Sequence, residues 1–251
     1  MPFPAAGTKY LKSLGSNMNH FGRSRYFDLP HSLDAEGLVC VGGELSAEWL
    51  LDAYAHGIFP WPITEDLDSG NVELLAWWTP DPRAIIDLDA LHISARLARR
   101  CRKREFAVTC NRDFSQVIHA CASVQDRTGN TWLTPSMMDA YVALHELGYA
   151  HSVEAWHQGE LAGGIYGVAL GGMFAAESKF YHRRDASKVA LVYLVHHLAA
   201  RGFCLLDIQQ ISAHTDSLGA REIPRSEFVS RVEASVNLPV TFGEKLEGCR
   251  W

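Results

Sequence analysis

The 251-residue sequence lacks the signatures of several large enzyme classes, and each absence removes a chemistry. There is no GxxxxGK[ST] loop and no GxGxxG turn opening a helix after a strand, so the usual cradles for ATP or a dinucleotide are missing. There is no HExxH, and the adjacent His196 and His197 would point in different directions on a helix, so no familiar catalytic-metal spacing occurs. No GxSxG elbow supports a serine nucleophile. The six cysteines (Cys40, Cys101, Cys110, Cys121, Cys204 and Cys249) are scattered and form no CxxC pair. Several sit in apolar patterns, where a free thiol behaves as a small hydrophobe, and a cytoplasmic setting is expected. No apolar run is long enough to cross a bilayer. The first residues, Met1-Pro2-Phe3-Pro4 followed by Lys9, Lys12, Asn17 and Asn19, contain no continuous apolar stretch of the kind a secretory signal needs.

What is present is the composition of an ordinary globular protein, 47% hydrophobic and 21% charged, which is enough for one large domain or two small ones. A net charge of −6 argues against binding a polyanion over the whole surface. One segment departs from that average. Arg96, Arg99, Arg100, Arg102, Lys103 and Arg104 place six cations within nine residues, with no acid among them to form i,i+4 pairs. A solvated helix face and a contact with a phosphate backbone both fit this run.

Turn and cap residues divide the chain. Residues 1–25 are small, polar and weakly periodic, so a loosely ordered extension is expected. A short strand ends at Gly42-Gly43, and Ser46 caps a helix that Gly57 closes. Residues 64–73 read as a polar loop, and Pro80 and Pro82 confine the extended segment after Trp77 to edges and turns. The basic segment predicts a helix over about 94–104. Thr134 with Pro135 starts another helix, and two strands turn over at His157-Gln158-Gly159-Glu160. A long helix over Ala186–Arg201 precedes a buried strand, and a last helix covers Arg225–Val236. The order predicts an α+β fold with a central sheet and flanking helices.

The most informative stretch is Cys204-Leu205-Leu206-Asp207-Ile208-Gln209-Gln210. In a regular strand Asp207 and Gln209 share a face, and two polar groups in an apolar strand are costly unless hydrogen-bonded. They are therefore candidates for a working site, although a satisfied structural pair fits equally. Glu177 stands at the end of the apolar strand Met173–Ser178, on the face of Met173 and Ala175 if alternation holds. Trp61, Trp132 and Tyr141 suit either a core or a platform for an unpaired base.

Beyond these residues, a series of short motifs occurs in order. It runs from Gly42-Gly43-Glu44-Leu45-Ser46 and Gly57-Ile58-Phe59-Pro60-Trp61 through Trp77-Trp78-Thr79-Pro80-Asp81-Pro82-Arg83 to Thr131-Trp132-Leu133-Thr134 and His145-Glu146-Leu147-Gly148. It continues with Gly163-Gly164-Ile165-Tyr166-Gly167, Glu177-Ser178, Ala186-Ser187-Lys188, Asp207-Ile208-Gln209 and His214-Thr215. Over about residues 27–235 the chain resembles the bacterial leucyl/phenylalanyl-tRNA–protein transferases. The resemblance implies transfer of Leu or Phe from tRNA to the N-terminal amine of proteins beginning with Arg or Lys, which marks them for N-end-rule degradation. It also implies a small N-terminal α/β domain over 26–90 joined to a catalytic domain over 91–251 that is like the GNAT acyltransferases. On the same footing Asp207, Gln209 and Glu177 are catalytic. Asp207 is expected to draw and deprotonate the amine, Gln209 to orient it, and Glu177 to hold the aminoacyl amino group or relay a proton. Trp61, Trp132, Tyr141, Ile165, Leu194, Ser178 and His214 are expected to bind the aminoacyl end, and the basic helix to hold acceptor-stem phosphates. Aminoacyl-tRNA is already an activated ester, so no cofactor or metal is expected; nor is a membrane, and the chain is expected to be a monomer.

The chain departs from the pattern after Glu177-Ser178. The family commonly continues Met-Phe-Ser-Arg where this chain has Lys179-Phe180-Tyr181-His182-Arg183, and Ile165 stands where the glycine run usually carries Met. Donor or acceptor preference is expected to respond to these changes. Three other readings compete. One is a related transferase with altered specificity, and another is a non-catalytic tRNA- or peptide-binding paralogue. The third is an acyl-CoA transferase, which the glycine-free turn Arg184-Asp185-Ala186-Ser187-Lys188 disfavours.

Overall fold

The computed structural model describes residues 23–28, 33–67, 70–123 and 132–249. The expected loose extension falls outside them up to residue 22. From residue 23 the chain is anchored: Ser24 Oγ donates to Asp52 at 2.5 Å, and the Tyr26 ring stacks on Trp49 at 4.6 Å.

In chain order the first half comprises β1 (Leu38–Val41), α1 (Ala47–Ala55), β2 (Phe59–Pro60), β3 (Ile63–Leu67), β4 (Gly70–Leu74), β5 (Ala76–Trp78), β6 (Arg83–Ile86), α2 (Ala95–Arg102), β7 (Ala107–Cys110) and α3 (Phe114–Ser123). The second half comprises α4 (Pro135–Glu146), β8 (Ala150–His157), β9 (Glu160–Leu170), β10 (Met173–Tyr181), α5 (Ala186–Arg201), β11 (Leu205–Gln209), α6 (Ala213–Asp216), β12 (Arg221–Ile223) and α7 (Arg225–Val236). Caps act where the sequence places them: Ser46 Oγ accepts the N–H of Trp49, and Thr134 Oγ1 accepts that of Met137, with Pro135 opening α4.

Seven strands form a mixed sheet in the order β12-β6-β11-β10-β9-β8-β7, antiparallel except for the parallel pair β10 and β11. A parallel pair needs a crossover, and α5 supplies it. One face of the sheet packs on α1, α3, α4 and α7 through residues such as Tyr54, Ile118, Tyr141 and Phe228. The other packs on α5 and α2 through Leu191, Leu194, Leu97 and Cys101. A smaller sheet, β1-β5-β2, lies on the N-terminal side.

Two expectations need correction. The polar stretch 64–73 forms a hairpin, β3 pairing antiparallel with β4 from Ile63 opposite Leu74 to Leu67 opposite Gly70. The segment after Trp77 does not end at a sheet edge. Pro80 and Pro82 both fall in the link between strands, which leaves β5 free to sit between β1 and β2 and β6 between β11 and β12. So β6, assigned by an expected boundary at residue 90 to the N-terminal part, is a strand of the large sheet.

Candidate active site

The site is made where β10 and β11 stop pairing. Their ladder runs Met173 with Leu205, Phe174 with Leu206 and Ala175 with Asp207. Past that point each strand carries an irregularity, at Glu177 on β10 and at Ile208 on β11. A bulge inserts a residue and re-aims those after it. The effect is visible in parity: Met173 and Ala175 belong to one core, yet beyond the bulge Phe180 belongs to that same core. Alternation therefore fails where the sequence reading relied on it, for Glu177 and for the Asp207–Gln209 pair.

Asp207 and Gln209 consequently have different surroundings. Asp207 is 1% exposed, and its oxygens receive Arg83 Nε at 2.8 Å and Arg83 Nη2 at 2.7 Å. Arg83 is itself 1% exposed and held between the Phe59 and Phe228 rings, 4.7 and 4.4 Å from their centres. Asp207 Oδ1 also accepts the main-chain N–H of Gln209 at 3.0 Å. That bond supports Gln209 in the left-handed conformation, φ 56°, which a non-glycine residue adopts only when its surroundings impose it. The Gln209 side chain then crosses the split, and its Nε2 donates to Glu177 Oε1 at 3.0 Å. Asp207 is thus set back from the cavity wall, its oxygens receiving the buried Arg83 guanidinium and the Gln209 N–H.

Glu177 is the acid at the wall. Its Oε2 accepts the Tyr141 hydroxyl at 3.0 Å, and Tyr141 is bonded to the Tyr54 hydroxyl at 2.7 Å. Burial pushes the Glu177 carboxyl up to about 7; the two phenols oppose the rise, the Asp207 charge adds to it and Arg83 opposes it. Both phenols are raised well above their ordinary value, chiefly by burial, so they act as neutral donors.

A cavity of about 850 Å³ opens at this point, with Trp61, Trp132, Phe59, Glu177 and Gln209 in its wall. Trp61 and Trp132 stack on each other with centres 4.7 Å apart, and Trp61 is 43% exposed. A second recess of about 70 Å³ lies between the diverged strands, lined by Ile165, Leu191, Ile208 and Thr215. The two share Glu177, Ser178, Lys179, Ile208, Gln209 and Gln210. The exposed acids Glu36, Asp81 and Glu222 also line the larger cavity.

The structure thus gathers Glu177, Gln209, Trp61, Trp132 and Ser178 around the cavity, with Ile165 in the adjoining recess. Tyr141 is fully buried behind Glu177 and reaches the cavity only through it. Leu194 is likewise fully buried, packed in the core under α5; Leu191, one turn earlier, lines the recess instead. His214 lies beside the recess on α6, whose Thr215 reaches the wall. Burial first, then Lys179 and Lys188, bring His214 down to about 4, so it is neutral at pH 7. Tyr54 and Arg83 escaped the sequence reading. Tyr54 lies within a short apolar helix, and Arg83 follows two prolines with nothing local to name its partner 124 positions away.

The basic helix divides its labour. Arg96 and Arg100 reach Asp185 at 3.7 and 3.2 Å, and Arg100 also pairs with Glu105 at 2.9 Å, tying α2 to the turn before α5. Arg99, Arg102, Lys103 and Arg104 are exposed and take part in no ion pair among the described residues. Among the described residues no group of acids, histidines and cysteines is arranged to hold a metal, and no helix is long and apolar enough to cross a membrane.

Comparison with known proteins identifies the lineage. The family model described as leucyl/phenylalanyl-tRNA protein transferase matches residues 85–233, and that of its N-terminal domain matches residues 43–81. Leucyl/phenylalanyl-tRNA–protein transferase of Syntrophobacter fumaroxidans is 51% identical over 217 residues, covering 86% of this chain and 89% of that protein. The protein of the same name from Aromatoleum aromaticum is 50% identical, covering 78% of this chain and 79% of that one. Among solved structures, a GCN5-related N-acetyltransferase-like protein from Streptococcus suis covers 86% of this chain and 96% of its own, at 8% identity and a TM-score of 0.36. On the family matches and the identities with its relatives, the chain belongs to the leucyl/phenylalanyl-tRNA–protein transferase family.

Proposed function

We propose that this protein transfers a leucyl or phenylalanyl group from its tRNA to the N-terminal amine of a protein, with the reaction centred on Glu177 and Gln209. The observation that carries this is a carboxyl with a pKa of about 7, bonded across a strand split to a carboxamide at 3.0 Å, at the wall of a large cavity. The incoming α-amine has an ordinary pKa of about 7.7–8.0, so a neutral fraction exists at physiological pH. Its nitrogen attacks the ester carbonyl carbon, a C–N bond forms, and the bond to the ribose oxygen breaks. Ionised Glu177 takes a proton from the attacking nitrogen and returns one to the departing ribose oxygen, a shuttle that a carboxyl titrating near 7 performs in both directions. Gln209 has no basic nitrogen and acts by orientation, its carbonyl oxygen accepting an N–H of the amine. Asp207 and Arg83 fix the backbone that presents Gln209. The ester supplies the driving force, so the step calls for neither ATP nor a metal.

Trp61 and Trp132 suit the terminal adenosine, since a base stacks on an aromatic face regardless of its identity. The recess lined by Ile165, Leu191 and Ile208 suits the apolar side chain of the donor. Glu36, Asp81 and Glu222 in the cavity lining favour an acceptor with a basic first residue. The unpaired cations of α2 suit stem phosphates, contacts that position without reading sequence. The diverging parallel strands joined by α5 support a GNAT-type catalytic domain, with the elements up to β5 as a smaller N-terminal domain. We take the protein to act as a monomer in the cytoplasm, where charged tRNA is available.

The test is a transfer assay pairing leucyl- and phenylalanyl-tRNA with peptides that begin with Arg, Lys, Asp or Leu. Transfer confined to the Arg and Lys peptides is expected; no transfer to any of them would refute the function.

A further inference from the structure

Beyond Lys179, strand β10 leaves the cavity and runs into the segment Phe180-Tyr181-His182-Arg183-Arg184. Phe180 turns into the core at 2% exposure, whereas Tyr181 is 58% exposed, the most exposed large hydrophobic side chain among the described residues. Tyr181 shares a face with Lys179, and its partner across the ladder is Gly163, which sets no side chain beside the ring. The backbone here is already fixed. The N–H groups of His182 and Arg183 both donate to Ala162 O, at 2.8 and 3.1 Å, and Arg100 Nη1 donates to Arg184 O at 3.3 Å. Asp185, the next residue, is engaged by Arg96 and Arg100. Arg183 and Arg184 are exposed and enter no ion pair among the described residues.

An exposed ring on a rigid strand, with cations two and three residues on, has the chemistry of a single-stranded RNA contact: the ring stacks a base and the cations meet phosphates. Paired bases are already stacked on their neighbours, so a ring of this kind selects unpaired nucleotides. Tyr181 lies two residues, about 7 Å along the strand, from cavity-lining Lys179. On its other side the segment abuts α2. We propose that Tyr181, Arg183 and Arg184 form a platform over which the single-stranded 3′ end of the donor tRNA runs, from a stem held by α2 to the cavity. This rests on the donor reading given above.

The test compares two uncharged RNA probes by fluorescence anisotropy: an acceptor-stem microhelix ending in a single-stranded 3′ NCCA, and the same duplex with a blunt end. Tyr181→Ala should weaken binding of the overhang probe about tenfold, as removal of one stacked base does, with less than about a twofold effect on the blunt probe. Tyr181→Phe should bind both as the unaltered protein does. The Arg183→Ala/Arg184→Ala double variant should lower the salt slope for the overhang probe by about 1.4, or about 0.7 for each single-strand phosphate no longer neutralised. Equal effects of Tyr181→Ala on the two probes, or none on either, would overturn the platform. Leucine transfer by the unaltered protein is measured alongside. If transfer occurs and the probes fail to discriminate, the platform alone falls; if transfer itself is absent, the donor reading falls and takes the platform with it.

Discussion

Arg83 and Asp207, 124 positions apart, form a two-bonded ion pair buried from solvent on both sides, and the same aspartate holds the main-chain N–H of Gln209. The carboxamide proposed to orient the amine is thus aimed by a backbone conformation, and that conformation by a buried charge pair set back from the cavity.

Breaking that pair should be costly. Arg83→Met leaves a buried carboxylate without its partner, and a loss of about 3–5 kcal/mol is expected. Arg83→Met/Asp207→Asn should lose less than the sum of the two single changes, because neither charge is then left alone. Denaturant unfolding of the three variants measures the coupling. Strictly additive losses would mean that the two groups act independently.

The pH dependence of transfer should report the Glu177 environment. Ionised Glu177 accepts the proton, so the rate rises as pH passes through about 7. The Tyr141 hydroxyl stabilises the carboxylate and so lowers the Glu177 pKa. Tyr141→Phe removes that bond, raises the pKa further and should move the acid limb to higher pH. The acceptor amine titrates nearby but is unaffected by the change. A profile that stays in place would exclude Glu177 as the titrating group.

Salt should separate the two sets of cations on α2 and the two residues that follow it. Replacing Arg99, Arg102, Lys103 and Arg104 by Ser should flatten the salt dependence of tRNA binding by about 0.9 for each duplex phosphate no longer neutralised. Arg96→Ser, whose side chain serves Asp185, should change the slope much less. The comparison is read from binding isotherms at several salt concentrations, and equal slopes for the four-fold variant and the unaltered protein would remove α2 from the footprint.

Close approach of β9 and β10 fixes one position for glycine. A Cβ on Gly167 would lie 2.2 Å from Ala175 O and 2.5 Å from the Phe174 ring, next to the point where β10 and β11 part. Gly167→Ala should cost about 1–3 kcal/mol and lower Tm by roughly 2–4 °C for each kcal/mol. An unchanged melting curve would show that the strands can separate without penalty.

The sequence made much of this fold legible because local signals and tertiary packing agree along most of it. Ser46 and Thr134 cap the helices they mark, and Gly159 turns the hairpin between β8 and β9. Strand alternation misled at Glu177 and Gln209, because a bulge depends on the pairing of neighbouring strands and leaves no periodic trace. Leu194 looked like a ligand contact, but only three-dimensional packing shows that the helix presents Leu191 to the recess. The burial of Asp207 was hidden for a similar reason: its partner Arg83 is remote in sequence. The basic run was plain in the sequence, but its division into anchoring and unpaired cations required the position of Asp185.

The central claim is that Glu177 carries the proton at the split between β10 and β11. The most direct measurement is the kcat/KM for leucine transfer from leucyl-tRNA to an Arg-initiated peptide by Glu177→Gln, alongside its affinity for the tRNA. Loss of general acid–base catalysis predicts a fall of about 10²–10⁴-fold with tRNA affinity retained. A rate within a few-fold of the unaltered protein would contradict the account.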